Sequence, residues 1–222
     1  MVTSVQGIGY TGEDRIEEYI SAHIEDESAL LRDLYRETNL RLLNPRMASG
    51  HIQGRLLKML VSMVKPQLIL EIGTFTGYAT LCMAEGLEGD AVIHTVEIDD
   101  ELEDFIRKGF DRSPFADRIR LHIGNALNIV PELGLEFDMI FLDGDKREYP
   151  EYYTQLMRYL RPGGYLIADN TLWDGHVVDS GYDSDPQTAA VRRFNDMVKA
   201  DDSVEVAIIP IRDGLTIIRK IK

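Results

Sequence analysis

The chain has 222 residues, a formal net charge of −14 and one cysteine. That length suits one α/β domain with a modest extension, and the acidic balance excludes a nucleic-acid scaffold, which needs a positive surface to displace counterions. The lone Cys82 excludes a disulfide framework or thiolate cluster and fits a reducing compartment.

Residues 1–10 lack a basic n-region and an apolar h-region, and no apolar run of about 18 residues occurs. The expectation is a cytoplasmic protein that contacts neither membrane nor nucleic acid. From residue 13 to about 64 the apolar spacing is helical: Ile16, Tyr19, Ile20 and Ile24, then Leu30, Leu31 and Leu34, then Ile52, Leu56, Leu57, Leu60 and Val61. Three helices therefore precede any strand, and Lys65-Pro66 stops the third. Arg32, Arg36, Arg41, Arg46, Arg55 and Lys58 concentrate positive charge in this extension. Among Glu25, Asp26, Glu27, Asp33 and Glu37 they form either a solvated face of paired charges or a patch for an anionic acceptor.

Beyond residue 65 apolar runs at 68–72, 91–96, 119–123, 137–142 and 165–168 alternate with helical stretches at 77–86, 100–111, 149–160 and 185–200. That alternation marks βαβ units and a parallel sheet. The runs 204–209 and 215–221 are joined by 210–214, too short for a crossover helix, so they pair antiparallel. Residues 173–178 and 181–186 read as a long loop over the strand tips. One domain, 1–222, accounts for the chain, with 1–64 as helical extension and 65–222 as sheet core.

Leu68 to Tyr78 is a strand, a glycine turn and a helix start. Gly73 lets backbone approach a ligand and Gly77 lets the next helix pack close to the sheet. Phe75 stands where a dinucleotide fingerprint needs its second glycine, so a pyrophosphate is disfavoured. The next strand ends in Glu97, at the interval where such acids bind ribose hydroxyls. Loop and acid together suit a nucleoside without a pyrophosphate, such as S-adenosylmethionine (SAM). Asn125, after the third strand, either reaches an adenine edge or caps a helix.

Two buried strands end in acid: 137–142 runs into Asp143-Gly144-Asp145-Lys146, and 165–168 into Asp169-Asn170. In an open parallel sheet the ligand crevice lies at the carboxyl ends of the strands, which brings Asp143, Asp169 and Asn170 together beside Lys146. That is a hard-cation site with a base next to it.

In this order the chain resembles the metal-dependent class I O-methyltransferases typified by the catechol and caffeoyl-CoA enzymes, from about Met47 to Lys220. The matching stretches are Leu70 through Tyr78, Phe137 through Lys146 with Tyr149, Tyr152 and Tyr153, Ala168-Asp169-Asn170 with Leu172, Trp173 and Gly175, and Asp213-Gly214-Leu215. The resemblance implies a Rossmann-like, seven-stranded, mostly parallel sheet with the last strand antiparallel, helices on both faces, and commonly a homodimer. It implies a divalent cation, usually magnesium, on Asp143, Asp169 and Asn170. It places SAM against Ser49, Glu71, Gly73, Thr74, Phe75, Ala79, Glu97, Ala126 and Asp145, with Ile98 and Asn125 completing the cofactor set. Asn125 stands where many members have Asp, Ala79 where Ser is frequent, and Gly144 where Ala or His is usual. The implied acceptor is a small catechol-like or hydroxycinnamoyl-type vicinal diol, with Lys146 as general base. Rival readings are a SAM-dependent enzyme acting on nitrogen or RNA, an NAD-dependent oxidoreductase, and a non-catalytic SAM-binding module.

Overall fold

The computed structural model describes residues 12–222, so the reading of residues 1–10 lies outside it. Three helices, α1 (Gly12–Ser21), α2 (Ala29–Arg41) and α3 (Gly50–Val64), come before the first strand. Ser28 caps α2 by accepting from the Leu31 N–H. Lys65 closes α3 in the left-handed conformation, φ 52°, rather than the extended geometry expected ahead of Pro66, because its N–H still bonds the Val61 carbonyl.

The sheet then builds outward from its centre. It comprises β1 (Leu68–Ile72), β2 (Val92–Glu97), β3 (Ile119–Ile123), β4 (Phe137–Leu142), β5 (Leu160–Asp169), β6 (Val204–Ile209) and β7 (Leu215–Lys220). Their order is β3-β2-β1-β4-β5-β7-β6; the first five are parallel, and β7 runs antiparallel between β5 and β6. The chain steps outward from β1 to β3 and returns to β4. A switch point therefore opens at the carboxyl ends of β1 and β4, where an open α/β sheet takes its ligand.

Each central strand is buried on both faces, which is why its sequence is mostly apolar rather than alternating, interrupted by Glu71 in β1 and Asp138 in β4. Ile69, Met139 and Phe141 enter one core with α2, α3, α4 (Tyr78–Ala84) and α5 (Glu103–Asp111). Leu70, Ile140 and Leu142 enter the other with α6 (Ala126–Leu133), α7 (Tyr149–Leu156) and α8 (Pro186–Ala200). Cys82 is buried in α4.

Helix α6 is the helix that the capping alternative for Asn125 required, although its extent was not read from the sequence; it has eight residues and carries Pro131 inside it. The loop expected over the strand tips holds short 3-10 turns within Trp173–Val178, kinked at the non-helical Asp174 and Gly175, and a further one at Ser180–Tyr182. Among the described residues, no helix is long and apolar enough to cross a membrane.

Candidate active site

Leu142 of β4 lies in register with Ala168 of β5, so the next residues, Asp143 and Asp169, project side by side from adjacent strand tips. Asn170 follows in the left-handed conformation, φ 55°, and its Nδ2 donates to Asp213 Oδ2 at 3.4 Å. That commits the amino end of the carboxamide and leaves its oxygen for another partner. Asp169 is buried and accepts from Gln53 Nε2 at 2.5 Å and from the Asn170 N–H at 2.8 Å. Burial first, then the charge of Asp143, pushes its carboxyl pKa up. Among the described residues no three His, Cys, Asp or Glu side chains come together, so the donor set here is two carboxylates and one carboxamide, all hard oxygens.

Gln53 was not singled out from the sequence. It shares a buried stripe of α3 with Leu57 and Val61, and a polar residue at helical spacing on an apolar stripe was the signal available.

Lys146 opens a 3-10 turn directly after the β4 tip and is buried. Its Nζ donates to Asp143 Oδ1 at 2.8 Å and to Tyr149 Oη at 2.7 Å. The Tyr149 hydroxyl in turn faces the carbonyls of Asp169 at 2.9 Å and Leu142 at 3.1 Å. Burial holds the Tyr149 phenol far above its ordinary pKa, so it remains a hydroxyl that ties both strand ends to the lysine. Two donated bonds leave a third tetrahedral position on Nζ for a further group.

Gly73 ends the β1 segment at φ 91°, and a Cβ there would lie 2.2 Å from the Asp143 carbonyl oxygen. The glycine is needed by the close approach of the Asp143 backbone in the metal-candidate loop. A Cβ on Gly77 would lie 2.4 Å from the Phe110 ring, so it is helix α5, rather than the sheet, that requires that glycine.

Glu71, in mid-sheet, is fully buried; Thr95 donates to its Oε2 at 2.6 Å and Thr80 donates to the same oxygen. Thr74 shares a 2.5 Å hydroxyl contact with Thr95 and so joins this chain. Oε1 of Glu71 has no partner among the described residues. Burial raises its carboxyl pKa to about 8. An orphaned, buried carboxylate oxygen asks for a cation.

Glu97 ends β2, accepting from the Phe75 N–H at 2.6 Å and the Asp99 N–H at 3.0 Å. Phe75 is held at φ 49°, uncommon for a bulky residue, with its amide on that acid. Ile98 is exposed beside Glu97. Asn125 caps α6 by accepting from the Leu127 N–H at 2.8 Å, and Ala126 behind it is buried. The capping alternative is therefore the one observed, and only its amide nitrogen is left for an adenine. Ala79 is buried in α4, and Ser49, buried, precedes α3 without capping it. Asp145 caps the turn after β4 through the Arg147 N–H, and the Arg147 side chain holds its carboxyl below the usual range.

Of the basic cluster, Arg55 is buried against Glu85 at 2.6 Å and Glu25 at 3.3 Å, and Lys58 pairs with Glu25 at 2.7 Å. Those two cations are neutralised in place; the pairing with Glu25 is as the paired-charge reading expected, while Arg55 is buried rather than solvated and takes Glu85, outside that set of acids. Arg32, Arg36, Arg41 and Arg46 are exposed.

Taken together, the fold and these tips define an α/β enzyme that binds a nucleoside at the switch point of a seven-stranded sheet. Comparison with known proteins narrows this. A family model described as O-methyltransferase matches residues 18–221. Catechol O-methyltransferase of Niastella koreensis is 35% identical over 74% of this chain and 76% of its own length. Caffeoyl-CoA O-methyltransferase 2 of Zea mays is 32% identical over 79% and 71%. An O-methyltransferase from Bacillus cereus, solved in complex with SAH, superposes with a TM-score of 0.87 at 28% identity, covering 94% of this chain and 97% of that one. An O-methyltransferase from Streptomyces achromogenes involved in tomaymycin synthesis, solved with SAM, gives 0.87 at 28% identity over 96% and 100%. The chain belongs to this family of SAM-dependent O-methyltransferases.

Proposed function

We propose that the protein methylates one hydroxyl of a catechol-like or hydroxycinnamoyl-type vicinal diol, with a divalent cation, magnesium, held by Asp143, Asp169 and Asn170. The observation that carries this reading is the convergence of Lys146 Nζ, 2.8 Å from Asp143, with a second carboxylate on the neighbouring strand tip. The donor chemistry fits a hard cation, because burial and then the charge of the half-buried Asp143 at the adjacent tip raise the pKa of Asp169. When bound, such a cation makes a ligated hydroxyl more acidic. The SAM site fits equally: the partnerless Oε1 of Glu71 suits the ammonium of the amino-acid end, and Glu97 suits ribose hydroxyls.

When bound, SAM supplies an electrophilic methyl on sulfonium, and the protein must provide an oxygen nucleophile at the right place. Lys146 takes the hydroxyl proton at Nζ, while its bonds to Asp143 and Tyr149 fix where that nitrogen sits. Gln53 holds the Asp169 carboxylate from the far side, on a helix of the N-terminal extension. Gly73 lets the β1 and β4 tips approach closely enough for donor and acceptor sites to adjoin. The test is SAM consumption on a panel of vicinal diols, with magnesium and with chelator. Turnover only with the metal is expected; turnover indifferent to the chelator would overturn the metal-dependent reading.

A further inference from the structure

The cations of the N-terminal extension nearest α4 are spoken for, yet one arginine stands at the strand tips from the opposite end of the chain. Arg212 lies in the β6–β7 connection, and among the described residues no carboxylate forms an ion pair with it. Its one hydrogen bond is from Nη1 to the Ala48 carbonyl at 3.3 Å, which leaves most of the five guanidinium N–H donors unspent. The residue is exposed and sits at φ 48°, a left-handed backbone that glycine occupies without strain and arginine does not. An arginine kept on a strained backbone with its donors unspent is a residue held for something outside the chain.

Its place is fixed by α3. The same Nη1 lies 3.3 Å from where a Cβ on Gly50 would be, and Gln53, three residues on, bonds Asp169. Gly50 opens α3 and Gln53 lies in its first turn, so the guanidinium stands at the end of the helix that reaches the Asp169 carboxylate. The neighbouring Asp213 accepts from the Asn170 carboxamide, which sets the β6–β7 connection beside the strand tips.

We propose that Arg212 is the specificity-determining residue of the acceptor site and that it receives a carboxylate borne by the ring of the vicinal diol. This rests on the reading of Asp143, Asp169 and Asn170 given above. A planar guanidinium matches a carboxylate with two parallel bonds. The phosphates of a coenzyme A thioester would lie a pantetheine arm further out, so the carboxylate must be on the ring or its short side arm. The preferred acceptor is then the free acid rather than its thioester.

The experiment compares 3,4-dihydroxybenzoate with its methyl ester, which keeps the diol and removes the charge. Steady-state kinetics with magnesium and SAM are measured for wild type, Arg212→Gly and Arg212→Lys. Calorimetric binding of both compounds to the SAH complex is measured alongside. Arg212→Gly suits the backbone at φ 48°, so the fold is retained. For the acid, KM and Kd rise about tenfold in Arg212→Gly with kcat little changed, and Arg212→Lys recovers part of the loss. The ester is unaffected by either substitution. Equal shifts for acid and ester, or no shift for the acid, would overturn the assignment. Should wild type methylate neither compound, the diol reading fails, while the binding comparison still decides whether Arg212 takes the carboxylate.

Discussion

Replacing Glu71 by Gln separates two consequences of one buried carboxylate. Burial among β1, β2 and α4 raises its pKa from 4.5 to about 8. The native state therefore keeps a proton that the unfolded chain loses above pH 4.5. Its contribution to stability is full below that value and declines as pH rises to about 8. At about 1.4 kcal/mol per unit, the loss between pH 6 and pH 8 is close to 2 kcal/mol, or roughly 4–8 °C in Tm for a chain of this size. In Glu71→Gln the amide oxygen still accepts from Thr80 and Thr95, and the amide nitrogen takes the partnerless position, so the fold is kept. The ligand-free variant loses this part of the pH slope. It also loses a charge-assisted bond to the SAM ammonium worth about 1.5–3 kcal/mol, which weakens Kd by about 10- to 150-fold. Thermal unfolding of the ligand-free proteins from pH 6 to pH 8 and calorimetric titration with SAM check both effects. A variant with the wild-type slope, or one that binds SAM within twofold of wild type, would refute the reasoning.

Two further substitutions probe the strand tips. Lys146→Met removes the proton acceptor but not the cofactor contacts, so kcat falls by about 10²- to 10⁴-fold while SAM affinity, measured by calorimetry, stays within a few-fold. Full turnover in that variant would remove Lys146 from the base role. Gly73→Ala forces a methyl to within 2.2 Å of the Asp143 carbonyl at φ 91°, so the β1–β4 junction must open. A loss of about 2 kcal/mol or more in denaturant unfolding is expected, and a loss below about 0.5 kcal/mol would show that the tips are not so tightly apposed.

Much of the architecture was legible because it is written in local pattern. Largely apolar runs such as 137–142 read as doubly buried strands when helices alternate with them, and the short 210–214 connection forces an antiparallel pair. Helix α6 was legible only through its candidate cap Asn125, since Pro131 interrupts a segment of eight residues before its periodicity can show. The acids at the tips of β4 and β5 could be paired in advance, since an open sheet brings its carboxyl ends to one edge and those motifs are contiguous in sequence.

What only the tertiary structure decided lies in contacts between distant parts of the chain. The bond from Gln53 to Asp169 spans 116 positions, and the contact from Arg212 to Ala48 spans 164. Neither carries a periodic or motif signal that names its partner. Gly73 illustrates the same limit within a recognised motif. Its position called for a glycine, but the group that excludes a side chain is the Asp143 backbone on another strand. Sequence determined which elements form and which residue types stand at their ends, because propensity and burial act over a few residues. The packing of the N-terminal extension and the β6–β7 turn against the tips decided what those ends touch, because side-chain contacts depend on the docked arrangement of elements that no local pattern encodes.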